Sequence, residues 1–263
     1  MTDFLLVPLV GGILLALLSG PVGSLVLWNR WAFLGDALSH AALSGIALAL
    51  LMNISPVIGM ICIGFCISGA VAYSHMNTKI APSTFLAVIS HGGLAIGLVL
   101  FYLQPNSNLN IMQFLIGDIL TLQMMEVIFL SLVGVFILGL LFFFWRPLLA
   151  CIVDADMAAI SGISIVRSKL ILLSTMSLLI AFSIKMVGVL LATALFVLPA
   201  SSARFISNTP ISMCIWSSVI GIASIILGVF LSLMLDLPTG PLIVVVALCF
   251  FLFCSMIKRV SRG

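Results

Sequence analysis

The property that limits this chain most is its succession of long apolar runs, separated by only a few polar residues. They fall near residues 5–28, 35–52, 55–74, 83–103, 124–145, 211–235 and 240–257, and two shorter runs between Arg167 and Arg204 are interrupted at Lys185 and Gly188. A helix needs about 20 apolar residues to cross the hydrocarbon core of a bilayer, and most of these runs have that length. Strand alternation is absent, so the pattern predicts a bundle of helices and speaks against an outer-membrane barrel. With 63% of 263 residues hydrophobic and 6% charged, the chain is more apolar than the surface of a water-soluble domain tolerates. The expected fold is all-α: a polytopic membrane helical bundle of about eight or nine transmembrane helices. Residues 1–263 are expected to form a single transmembrane domain, the length leaving no room for a separate soluble one.

The basic residues test this topology independently, because Lys and Arg near span ends stay on the cytoplasmic side. They stand at Arg30, Lys79, Arg146, Arg167 with Lys169, Arg204, and the terminal Lys258, Arg259 and Arg262. Each interval except Arg146 to Arg167 is long enough for an out-and-back pair of spans. Counted this way, the chain makes nine crossings with its N-terminus outside and its C-terminus inside, and Lys185 is the outward-facing cation. Joining the two short runs gives eight spans but puts basic residues on the wrong face. The exceptional interval, with DADMAAISGISIV from Asp154, is read as a cytoplasmic segment over 147–166. Met157, Ala158, Ile160 and Ile163 could form one face of a short helix there, a docking point for a cytosolic partner; the alternative is an ordinary connecting loop. The basic residues form no patch, so the net charge of +3 implies no nucleic-acid partner. The N-terminal MTDFLLVPLVGG lacks a basic leader and is read as the first span, with no processing implied.

Two ionisable residues stand out. In GDALSHAALSGIALALL, from Gly35, Asp36 and His40 are four apart and share a helix face. A carboxylate at the centre of a membrane helix costs roughly 2.5–3.5 kcal/mol on insertion scales, so it should face a cavity or a partner. Carboxylate oxygen with imidazole nitrogen suits zinc or manganese better than magnesium or calcium. Two ligands do not fill a tetrahedral site; a symmetric dimer would bring a second pair, and a transient permeation site needs only modest affinity. The other reading is an Asp–His hydrogen bond that pins the start of a helix, with Asp36 as its N-terminal acid. His91, in SHGGLAIGL beside Gly92 and Gly93, either lines the same cavity as an additional pathway residue or bonds a neighbouring helix. His75 is read as interfacial.

The remaining polar positions are less specific. Asp118 and Asp236 are acids near the outer face that would meet a cation or a delivery protein, or cap helices. Lys185 is a packing or gating element, or pairs with an acid. The six cysteines, Cys62, Cys66, Cys151, Cys214, Cys249 and Cys254, read as small core hydrophobes, although Cys62 and Cys66, one helical turn apart, are in principle soft ligands. Glycine and proline cluster in GPVG, KMVGVLL, LPASSA and PTGP, which favour close packing and interrupted helices. Phe142 to Trp145, beside Arg146, reads as an interfacial belt. No phosphate-binding loop, metalloprotease motif, nucleophile elbow, dinucleotide fingerprint or haem-attachment motif occurs. The chemistry left is movement of a solute: a transporter without a cofactor and not an enzyme.

Taken in order, GPVGSLVLWNRWAFLGDALSHAALSGIALAL, SHGGLAIGLVL, IGDIL, KMVGVLLATALFVLPASSAR and DLPTGPLIVVVALCFF resemble the permeases of zinc and manganese uptake ABC transporters, the ABC-3 family. The likeness covers nearly the whole chain and is nearest to the zinc-uptake members of Gram-negative bacteria. It implies a type II-like importer permease in the bacterial inner membrane, acting as a homodimer among membrane lipids. A periplasmic metal-binding protein would deliver the ion, and two cytosolic ABC ATPase subunits would hydrolyse ATP. Asp36 and His40 match the Asp and His of the family's GDxxxHA motif. The segment between Arg146 and Arg167 matches the ATPase-docking region, which assigns Asp154, Asp156 and Gly162 to coupling. Departures are IGD where many members read FGD, and PASSA for PAA-like wording. The resemblance implies zinc as the transported ion, with manganese or iron as the alternative within the family. Outside it stand a proton-coupled secondary transporter with Asp36 as the proton site, and a non-transporting membrane scaffold.

Overall fold

The computed structural model describes residues 2–77, 82–103, 114, 115, 117 and 119–260. Lys79, Asp118, Arg262 and the polar stretch from Gln104, with the side chains of His75 and Arg259, lie outside the described residues. The helices, in chain order, are α1 (Thr2–Trp28), α2 (Leu34–Leu51), α3 (Pro56–Asn77), α4 (Pro82–Tyr102), α5 (Met124–Phe143), α6 (Trp145–Val153), α7 (Ala155–Ile160), α8 (Ile165–Val187), α9 (Val189–Ile206), α10 (Pro210–Leu235) and α11 (Thr239–Val260). A 3-10 turn covers Ile119–Thr121, and the described residues contain no strand.

Among the described residues, eight helices are long and apolar enough to cross a membrane: α1 to α5, α8, α10 and α11. The two short runs around Lys185 are separate helices. Gly188 divides α8 from α9 with φ of +85°, a left-handed conformation open to glycine and strained for other residues. Lys185 therefore lies in the last turn of α8, and α9 carries a shorter apolar stretch over Ala192–Ile206.

The chain divides into two compact units. The first holds residues 1–27, 109–134 and 182–263, and the second holds 28–108 and 135–181. In the first unit, α1 packs through small residues. Gly23 lies against the Phe196 carbonyl, and Gly20 lies against Ser218, whose Oγ donates to the Leu17 carbonyl at 3.0 Å. Gly228 of α10 lies against Ile243 of α11. Lys185 pairs with Glu126 of α5, both partly exposed, and Glu126 Oε2 also accepts from the Gln123 amide at 3.1 Å. Asp236 ends α10 in a left-handed conformation.

In the second unit α2 is the central helix: 72% of its most apolar window is buried, against 17% for α4. Small residues let its neighbours approach. A Cβ on Gly45 would fall 2.5 Å from the Gly59 carbonyl oxygen of α3. A Cβ on Gly93 of α4 would fall 2.6 Å from Ala41 Cα, and one on Gly97 2.8 Å from the Ser44 amide nitrogen. Gly92, next to Gly93, has nothing within 4 Å of such a carbon.

The contrast gives a direct test of this packing. Gly93→Ala should destabilise the detergent-solubilised protein by on the order of 1–3 kcal/mol through overpacking against backbone. Gly92→Ala should be neutral or slightly stabilising, as expected for alanine in an open helical position. Thermal unfolding of the two variants beside the parent checks both outcomes.

Candidate functional site

α2 starts with Phe33 at its N-cap, and Phe33 makes no capping side-chain bond. Asp36, in the first turn, supplies the negative charge that complements the partial positive end of the helix. His40 follows one turn later on the same face. Opposite them, α4 presents Ser90 and His91. Together with Phe33, Leu86 and Ala87, these residues line a cavity of about 310 Å³. Its walls are apolar at Phe33, Leu86 and Ala87, and among the described residues the Asp36 carboxylate is the one anionic side chain in the lining. Asp36 and His40 are half-buried, His91 is exposed, and Ser90 is buried at 7% exposure. His40 Nδ1 lies 2.8 Å from Ser90 Oγ.

The three residues singled out for metal, Asp36, His40 and His91, thus border one cavity. Among the described residues, however, no three His, Cys, Asp or Glu side chains are grouped so that they could hold an ion. One chain supplies an oxygen donor and a nitrogen donor one turn apart. With Nδ1 engaged by Ser90, Nε2 is the imidazole nitrogen left for a ligand. Ser90 was not foreseen from the sequence, since nothing in SHGGLAIGL distinguishes its hydroxyl from the many serines of the apolar runs.

The cysteines differ from expectation. Cys214 and Cys254 are buried, but Cys62, Cys66 and Cys249 are exposed and Cys151 is intermediate. The reason is the solvent: the outer surface of a membrane helix faces lipid as apolar as a protein core, so a thiol need not be inside. Cys62 and Cys66 do not line the cavity.

The segment over 147–166 folds as the end of α6, the six-residue α7, and the start of α8. Asp154 caps α7: its Oδ1 accepts from the amides of Asp156 and Met157, both at 3.0 Å. At the other end Gly162, φ +80°, closes a Schellman motif. Its amide donates to the Ala159 carbonyl and that of Ile163 to the Ala158 carbonyl, each at 3.0 Å. Asp154 and Gly162 therefore shape this segment, while Asp156 stands exposed in the first turn. The single apolar face expected of Met157, Ala158, Ile160 and Ile163 is divided. Ala158 is buried and Ile163 half-buried, whereas Met157 and Ile160 are exposed together with Val153.

Apolar helices of spanning length, one of them carrying a carboxylate and an imidazole to a partly apolar cavity, define a multi-pass membrane transport protein. The model of the ABC 3 transport family matches residues 1–258, and the chain belongs to that family. It is similar to the high-affinity zinc uptake system membrane protein ZnuB of Haemophilus influenzae, 34% identical over 98% of this chain and 99% of that protein. It is also similar to the manganese import system permease protein ScaB of Streptococcus parasanguinis, 30% identical over 98% of this chain and 92% of that one. Among solved structures, PsaBC from Streptococcus pneumoniae in complex with Fab matches with a TM-score of 0.85 and 28% identity, over 95% of this chain and 90% of that one.

The cap on α7 separates geometry from charge at Asp154. Asp154→Ala should weaken the helix by about 1 kcal/mol and raise amide exchange at Asp156 and Met157, whereas Asp154→Asn, which keeps a capping oxygen, should leave exchange close to the parent. Hydrogen exchange read at these two amides checks the pair.

Proposed function

We propose that this chain is the membrane-spanning permease subunit of an ATP-binding cassette importer that carries a divalent transition-metal ion, zinc foremost, across the bacterial inner membrane into the cytoplasm. The observation that carries this reading is the cavity, which joins Asp36 and His40 in a chain of the ABC 3 transport family. Oxygen and nitrogen donors of this kind suit zinc and manganese. The higher identity to a zinc-uptake protein favours zinc, and the similarity to manganese permeases supports manganese as the second reading.

On this reading the ion is the substrate, received from a periplasmic metal-binding protein. Asp36 neutralises part of its charge and His40 supplies a nitrogen ligand, with His91 at the exposed edge of the cavity as a further pathway residue. A second copy of the chain supplies the matching Asp36 and His40. The sequence has no phosphate-binding loop, so the energy of ATP enters through two separate cytosolic subunits that dock on residues 147–166. The exposed Asp156, Met157 and Ile160 form the docking surface, and Asp154 and Gly162 hold its shape.

Zinc uptake at limiting concentration should fall to background in cells carrying His40→Ala or Asp36→Asn while the protein level in the membrane is unchanged; normal uptake by either variant rejects the site. Disabling the partner ATPase should also abolish uptake, and persistent uptake would favour the proton-coupled transporter. Competition by manganese at equal concentration ranks the two ions. Asp156→Lys, which leaves the Asp154 cap in place, should reduce co-purification of the ATPase several-fold, and an undiminished yield removes Asp156 from the docking surface.

A further inference from the structure

We propose that Ser90 is a positioning residue for the transported ion: its hydroxyl holds the His40 imidazole in the tautomer and orientation that make Nε2 the ligand. The inference rests on the reading of Asp36 and His40 as ion ligands and adds a residue from a second helix to that site. The bond between Ser90 Oγ and His40 Nδ1, 2.8 Å long, joins residues fifty positions apart. Ser90 is buried, and its place on α4 is set by the stripe it shares with Gly93 and Gly97, whose close approaches to Ala41 and Ser44 fix α4 against α2. The hydroxyl therefore sits on a rigid element at a defined height beside the imidazole.

The chemistry follows from the two ring nitrogens. An ion bound at Nε2 needs the imidazole proton on Nδ1, and that N–H then donates to Ser90 Oγ. Without the acceptor, the proton distributes between both nitrogens and the ring turns more freely about its side-chain bonds. Metal-binding histidines are commonly oriented in this way through their second nitrogen, and loss of the orienting partner typically weakens metal binding 10–100-fold. A hydroxyl does so without adding the negative charge of a carboxylate partner, which fits an ion that has to leave again.

The test uses the purified permease–ATPase complex in detergent and zinc binding by equilibrium dialysis, with uptake into proteoliposomes as the second readout. Ser90→Ala should weaken zinc binding about 10–100-fold and raise the KM for uptake while the maximal rate is retained. Ser90→Thr, which keeps the hydroxyl, should restore both. Unchanged zinc affinity in Ser90→Ala, or a monodisperse Ser90→Thr complex as weak as Ser90→Ala, overturns the positioning role. His40→Ala separates the two layers: if it binds zinc as the parent does, the ion-site reading itself fails. If it loses zinc while Ser90→Ala keeps it, only the role of Ser90 fails.

Discussion

A carboxylate and an imidazole on a membrane helix have to be surrounded by protein, and in this chain that requirement falls on α2. Lipid supplies no hydrophobic drive for helices to associate, so close van der Waals contact between small residues takes its place. α2 meets α3 through Gly45 and Gly59, and α4 through Ala41 with Gly93 and Ser44 with Gly97. With His40 opposite Ser90, residue numbers on α2 and α4 rise together, so the helices run parallel, as a crossing, a return and a second crossing require. The same contacts that replace a missing hydrophobic effect set the height at which Ser90 and His91 face Asp36 and His40.

Much of this was readable from residue order alone. The apolar runs locate the long helices to within a few residues, because a span is a length requirement written directly in composition. The break at Gly188 was visible as a glycine three residues after a lysine in an apolar run. Asp36 and His40 share a face by helical arithmetic. Pairings across helices carried no such signal. Nothing local joins His40 to Ser90 or Lys185 to Glu126, since each pair is brought together by tertiary packing. Gly92 and Gly93 are identical as letters, yet one meets Ala41 and the other open space. The cap that Asp154 forms on α7 was not legible either, because it depends on where α7 begins.

The incompleteness of the site in one chain has a physical meaning. Structural zinc sites are closed by four protein ligands, and such closure makes binding part of folding. A conduction site works under the opposite demand, with binding strong enough to enter and weak enough to leave. On the proposed reading, a half-site on each of two copies would meet that demand, because the full ligand set would exist only while the two halves face each other. A change in their separation would then alter affinity without moving any ligand within its own helix.

The route by which such a change reaches α2 is constrained by contacts inside the second unit. The connection entering α2 is held by the neighbours of the proposed docking segment. Asn29 shares a small cleft with Leu148, Cys151 and Ile152 of α6 and with Ser168, Lys169 and Leu172 of α8. The Lys169 ammonium lies 5.9 Å from the centre of the Trp31 ring, within the range of a cation–π attraction, and Trp31 is itself buried. Asp36 lies only five residues beyond Trp31, in the first turn of α2. The helices that flank α7 and the stretch of chain leading into α2, which carries Asp36 and His40, thus adjoin one another. On the proposed reading, a displacement of α6 and α8 would reach the start of α2 through these contacts, with no longer path through the second unit required.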